Sequence, residues 1–103
     1  MKQWVEAADA SEFDQTDRKL VDLGGNRQVG LFKVDGKYYA IHAYCSHQHV
    51  SMVHGFVDGH ELMCPLHGAR FDLRNGAALC LPATSSVATY KVKVENGKVL
   101  LKV

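Results

Sequence analysis

Cys45-Ser46-His47 and Cys64-Pro65-Leu66-His67 are the residues of this chain best suited to chemistry. Each pair offers one thiolate and one imidazole, so two loops could close on metal between them. A Cys₂His₂ set suits tetrahedral zinc. Zinc fingers, however, group like ligands, Cys-x₂₋₄-Cys followed by His-x₃₋₅-His. Here each loop carries one ligand of each type, which fits an asymmetric two-iron centre better.

The segments that must position these pairs read as short strands. Asp35-Gly36, Asp58-Gly59, Asn75-Gly76 and Asn96-Gly97 punctuate the chain, with Gly24-Gly25-Asn26 earlier. Asp-Gly and Asn-Gly between apolar runs predict hairpins, because type I′ turns need positive φ at both central residues. Residues 28–34 lead through Asp35-Gly36 into residues 37–42. Tyr90, Val92 and Val94 alternate with Lys91, Lys93 and Glu95, then Asn96-Gly97 returns into residues 98–103. Many short strands at this spacing predict an all-β sandwich or barrel. Residues 9–16 hint at a helical turn with Ser11 as N-cap. Gly55 and Gly68 suit places where backbone approaches a bound group closely.

The order Cys-x-His then Cys-x-x-His resembles the Rieske iron–sulfur family, whose clusters hold one iron by two cysteines and the other by two histidines. Cys64-Pro65-Leu66-His67-Gly68, followed by Arg70-Phe71-Asp72 and Asn75-Gly76, looks like that family's second cluster loop and its turn. Pro82 matches its proline-containing segment. The resemblance implies an antiparallel β-sandwich/barrel with a small cluster-binding lobe carried on two loops. It implies one domain over 1–103, with a lobe of about 45–83 on a basal part of about 1–44 and 84–103. It also implies one Rieske-type 2Fe–2S cluster on Cys45, His47, Cys64 and His67. Two neutral rings in place of two thiolates raise the potential to about −150 to +300 mV, against roughly −400 mV for plant-type ferredoxins.

Length and departures from other branches refine the resemblance to the stand-alone ferredoxins of bacterial aromatic-ring dioxygenase systems. Val50 and Leu66 stand where respiratory members carry a second cysteine pair. Ala69 and Phe71 replace their serine and tyrosine hydroxyl donors, so the expected potential lies at the low end of the Rieske range. The implied function is one-electron transfer from a flavin-containing NAD(P)H reductase to a terminal Rieske oxygenase; the alternatives are a Rieske redox donor or subunit serving another oxygenase or reductase, and a zinc-stabilised interaction module. No catalytic residue is expected.

The remaining residues carry blander readings. Cys80, between Leu79 and Leu81, is expected to be a small buried hydrophobe. His42 and His60 are expected to be partly exposed, and His49 and His54 could line a partner-facing rim. Trp4, Phe13, Phe32, Phe56 and Tyr90 are expected to be core or packing residues. His49, His54 and Asp58 could be written as a facial triad, but so small a lobe leaves no room for substrate.

With 103 residues and 47% hydrophobic content the chain is expected to bury one core. Twelve basic residues against eleven acidic give a net charge of +1, which provides no strong field for nucleic acid or a membrane surface. Three cysteines do not make a disulfide framework. No apolar run of membrane length and no signal sequence are present, so a soluble, cytoplasmic chain is the expectation, and a monomer is the default for the mobile carrier that the resemblance implies.

Overall fold

The computed structural model describes residues 3–24, 27–44, 51–64, 68–79 and 86–102. Ten strands carry them: β1 (Trp4–Asp9), β2 (Arg18–Asp22), β3 (Gln28–Val34), β4 (Lys37–His42), β5 (Phe56–Asp58), β6 (Glu61–Met63), β7 (Arg70–Asp72), β8 (Thr89–Tyr90), β9 (Val92–Glu95) and β10 (Lys98–Lys102). They form three antiparallel sheets, in the orders β1-β10-β9, β2-β3-β4-β8 and β5-β6-β7. The fold is nearly all-β; among the described residues the helical pieces are two short 3₁₀ turns.

The hairpin β3-β4 is the wall between two cores. Residues 29–32 are all buried, and the two-residue period sends successive side chains to opposite faces. Phe32 and Ile41 enter one core with Met52, Leu62, Cys64 and Phe71. Val29, Leu31 and Ala40 enter the other with Phe13, Val99 and Leu101. Asp35-Gly36 closes the hairpin with φ of 52° and 80°, the signature of a type I′ turn. Asn96-Gly97 does the same between β9 and β10 with φ of 52° and 75°.

The helical turn falls at Ala10–Asp14, inside the expected stretch, but its N-cap is Asp9 and not Ser11. The Asp9 N–H donates to the Glu12 carboxylate at 2.7 Å, and Phe13 drops into the basal core. The alternation from Tyr90 to Val94 reads as one strand but spans two sheets. Tyr90 pairs with Ala40, whereas Val92 pairs with Leu101. At the crossing, the Lys91 carbonyl accepts from the Lys102 N–H at 3.0 Å.

Of the five aromatics expected to be core or packing residues, two lie outside the core. Phe56 is 67% exposed, because its partner on the inner face of β5 is Val57, which packs against the core. Trp4 lies at the surface beneath Lys93, whose Nζ sits 4.4 Å from the ring centroid. Phe13 and Phe32 are buried, and Tyr90 is partly buried against the basal core.

Candidate metal centre

Alternation along β6 builds the one ligand candidate that falls among the described residues. Leu62 faces inward, Met63 outward, and Cys64 inward again, where it is 3% exposed among Met52, Ala69 and Phe71. Its N–H donates to the Ala69 carbonyl at 2.6 Å, and the Gly68 N–H donates back to the Cys64 carbonyl at 3.2 Å. Cys64 is thereby clamped to Gly68 and Ala69. Gly68 makes the return with φ of +72°, a conformation that a side chain would strain.

The first loop is closed in the same manner. Tyr44 and Ser51 form an antiparallel bridge, and the Met52 N–H donates to the Ala43 carbonyl at 2.7 Å. The Tyr44 hydroxyl donates to the Gln28 side-chain oxygen, tying the foot of the loop to β3. Cys45, His47, His49 and Val50 lie between these clamps and outside the described residues, as do Leu66, His67, Cys80 and Pro82.

Gly55 brings the two loop bases together. A Cβ built there would overlap the Met63 carbonyl oxygen, so no other residue allows this approach. Arg18, on β2, holds the same place from the basal side. Its Nη1 donates to the Val53 carbonyl at 3.1 Å and to the Gly55 carbonyl, and its guanidinium lies 5.4 Å from the Phe32 ring centroid. Nothing in the local sequence marks Arg18 for this role.

The far end of β7 is fixed electrostatically. Arg74 grips the Asp72 carboxylate with two nitrogens, at 3.1 and 2.9 Å, and its own N–H adds a third bond at 2.9 Å. Hydrogen bonds from the Arg74 side chain, then from its backbone, hold the Asp72 carboxyl below its ordinary value. The Asp72 carbonyl accepts from Gly76, whose own carbonyl accepts from Val87 at 2.9 Å.

The described histidines outside the two pairs, His42, His54 and His60, belong to no group of metal-binding side chains among the described residues. His42 and His60 are half-buried, as expected, with His60 edge-on to Tyr39 at 5.5 Å between ring centroids. His54 is exposed on the second 3₁₀ turn, Met52–His54. Among the described residues no group of three or more His, Cys, Asp or Glu is placed to hold a metal ion. No helix among them is long and apolar enough to cross a membrane.

The residues at the loop bases fit a sulfur-rich metal group. A buried thiol sits on an apolar floor of Ala69 and Phe71, both fully buried. Beside the other loop, the Ser51 hydroxyl oxygen is buried and has no hydrogen-bond partner among the described residues, and native structures rarely leave such an atom unsatisfied.

The family model for the Rieske [2Fe-2S] domain matches residues 3–91, and the chain belongs to that family. A ferredoxin component of the naphthalene 1,2-dioxygenase/salicylate 5-hydroxylase systems of Ralstonia sp is 40% identical over 99 residues, covering 96% of this chain and 94% of the relative. The ferredoxin of carbazole 1,9a-dioxygenase from Nocardioides aromaticivorans IC177 superposes with a TM-score of 0.88 at 30% identity, covering 96% of each chain. A chain from the complex of reduced oxygenase and oxidized ferredoxin in carbazole 1,9a-dioxygenase also gives 0.88, at 26% identity over 95% of this chain and 91% of that one. The cofactor is thus a Rieske-type 2Fe–2S cluster, and the chain is an electron-transfer component of a dioxygenase system and not its catalyst.

Proposed function

We propose that this chain is a mobile one-electron carrier between a flavin-containing, NAD(P)H-oxidising reductase and the Rieske centre of a terminal oxygenase acting on aromatic compounds. The relatives that are ferredoxin components of such systems, and the complex of an oxygenase with its ferredoxin, support this reading. In it, Cys45 and Cys64 hold one iron and His47 and His67 the other. Residues of about 45–83 form the lobe that carries the cluster, and about 1–44 and 84–103 form its base. The protein works as a cytoplasmic monomer.

The observation that supports the ligand assignment is the Cys64 thiol, buried where Cys64 is clamped to Ala69 and where Gly55 closes on the Met63 carbonyl. When bound, the cluster supplies reversible uptake of a single electron. The chain's own residues do the rest. Ala69 and Phe71 exclude water from the thiolate side and offer no side-chain hydroxyl to sulfur, which keeps the potential at the low end of the Rieske range. The clamps at Tyr44/Ser51 and Cys64/Ala69 fix the residues that flank the two ligand pairs.

Iron and acid-labile sulfide analysis tests the assignment. Two irons and two sulfides per chain are expected, lost or degraded on His47→Ala or His67→Ala and retained in His49→Ala. Stoichiometric zinc without sulfide would falsify it. Reconstitution with a reductase and an oxygenase tests the partners: electrons from NAD(P)H should reach the oxygenase only when the ferredoxin is present.

A further inference from the structure

We infer that the cleft where β8 gives way to β9 binds an aromatic anion, a planar ring carrying a carboxylate or a phosphate group. Strand β8 pairs with β4 at two positions, Ala40↔Tyr90 and Ile41↔Thr89, and the chain then crosses at Lys91 into the other sheet. Residues 37–39 of β4 are left without a strand on that side, and a gap opens beside them. The gap is a cavity of about 460 Å³, lined by Tyr38, Tyr39, Tyr90, Arg74, Lys91 and Lys102 with smaller side chains between them. A second cavity of about 340 Å³ shares Tyr38, Tyr39 and Val92 with it and adds Lys37 and Lys93.

The lining is chemically one-sided. Lys37, Arg74, Lys91, Lys93 and Lys102 border the two cavities, and among the described residues no Asp or Glu does. The whole chain has twelve basic residues against eleven acidic, so this concentration is local. Two of these cations are already matched, Arg74 by Asp72 at 2.9 Å and Lys93 by Glu95 at 2.7 Å. Lys102 leans toward Trp4, its Nζ 5.9 Å from the ring centroid. Lys37 and Lys91 are exposed and have no ion pair among the described residues, which leaves their charge for a ligand. The rings beside them are held in place, Tyr38 edge-on to Phe13 at 5.1 Å and Tyr39 edge-on to His60 at 5.5 Å. Fixed rings take another ring with little loss of freedom, and tyrosine hydroxyls can donate to an anion. A concave site of this size, with aromatic walls and a few convergent charges, suits a small molecule. Tyr39 and Leu73 belong with one core, and Tyr38, Tyr90 and Val92 with the other, so the ligand ties the two together.

Amide NMR titration of the oxidised, cluster-loaded protein tests this with benzoate and phenylphosphate as probes. One or both should bind, with shifts concentrated in β8 and β9, and the tighter of the two tells carboxylate from phosphate. Binding should also raise the thermal midpoint. Lys91→Gln should weaken it about tenfold, and Lys91→Arg should largely keep it. Tyr90→Leu should weaken it as well, whereas Arg27→Gln, at a separate cavity, should leave it unchanged. No lining residue belongs to the two ligand pairs, so the visible spectrum tells loss of binding from loss of the cluster. If Tyr90→Leu fails to fold, the two exposed Lys91 variants still decide. Benzyl alcohol bound as tightly as the anions would overturn the role of charge, and acetate or inorganic phosphate bound as tightly would overturn that of the ring. Binding untouched by Lys91→Gln, no binding of either probe, or binding of an oligoglutamate peptide alone would each overturn the inference.

Discussion

The two cores on either side of β3-β4 are built on opposite principles. The basal one is closed by long-range pairing: β1 and β10, from the two ends of the chain, run side by side from Trp4/Lys102 to Asp9/Lys98. Its buried residues are hydrophobes drawn from strands of five to seven residues, with Phe13 added from the first 3₁₀ turn. The other core holds a sheet of three strands, each three residues long, and one of its buried members is the Cys64 thiol. So small a sheet is marginal alone and needs packing or a cross-link to persist. Phe32 and Ile41 provide packing and Arg18 provides a brace. On the proposed ligation the cluster adds a cross-link, and this part of the molecule should then depend on its cofactor while the basal core does not.

The largest expected effect breaks that dependence directly. Cys64→Ala should abolish the visible absorption, because a cluster held by three ligands does not persist. In that protein amide hydrogen exchange should accelerate across residues 56–72 and stay slow in β3, β4 and β10. Equal protection of both parts in the cluster-free protein would show that the lobe is self-sufficient.

Next in size is Gly76→Ala. Gly76 has φ of +75°, and a Cβ built on it would overlap the Val87 carbonyl oxygen. Backbone strain and overpacking together should cost about 3 kcal/mol or more, seen as a lowered midpoint in denaturant. Arg18→Met follows. It keeps much of the apolar stem over Phe32 but strips the Val53 and Gly55 carbonyls of their donor, for about 1–3 kcal/mol. Faster exchange near the second 3₁₀ turn with unchanged exchange in β10 would locate the loss at the brace.

The acid limb offers a finer probe. Asp72 has a folded pKa depressed by Arg74, so its contribution to stability is present above the usual carboxylate value of 3.8 and disappears as pH falls through the folded value. Asp72→Asn should remove that part of the acid dependence, measured by thermal melts between pH 5 and 2. The smallest effects concern the floor of the site. Ala69→Ser and Phe71→Tyr should each raise the reduction potential by tens of millivolts, where about 59 mV is a tenfold change in the one-electron equilibrium. Unchanged potentials with the new hydroxyls in contact with sulfur would remove hydrogen bonding as the cause of a low potential.

Much of this was legible in local chemistry. Asp35-Gly36 and Asn96-Gly97 announced their hairpins, since few residue pairs tolerate positive φ twice in succession. The strand bounds 28–34 and 37–42 follow from that turn and from alternation on either side. Alternation does not say which partner a strand takes, which is why Tyr90 and Val92 fell in different sheets. Nor does aromaticity say which face of a short strand turns inward, and Phe56 went to the surface while Val57 packed on the core.

The sequence by itself determined the β-rich class, the tight turns and the residue types offered to a cluster. These depend on backbone sterics and ligand chemistry at short range. Tertiary structure decided the rest: that Arg18 reaches across to Val53 and Gly55, that Gly55 lets one loop base rest on the other, and that the Ser51 hydroxyl is sealed from water. Each joins or encloses groups that alternation and motif spacing do not link, and burial is a property of what packs around a residue.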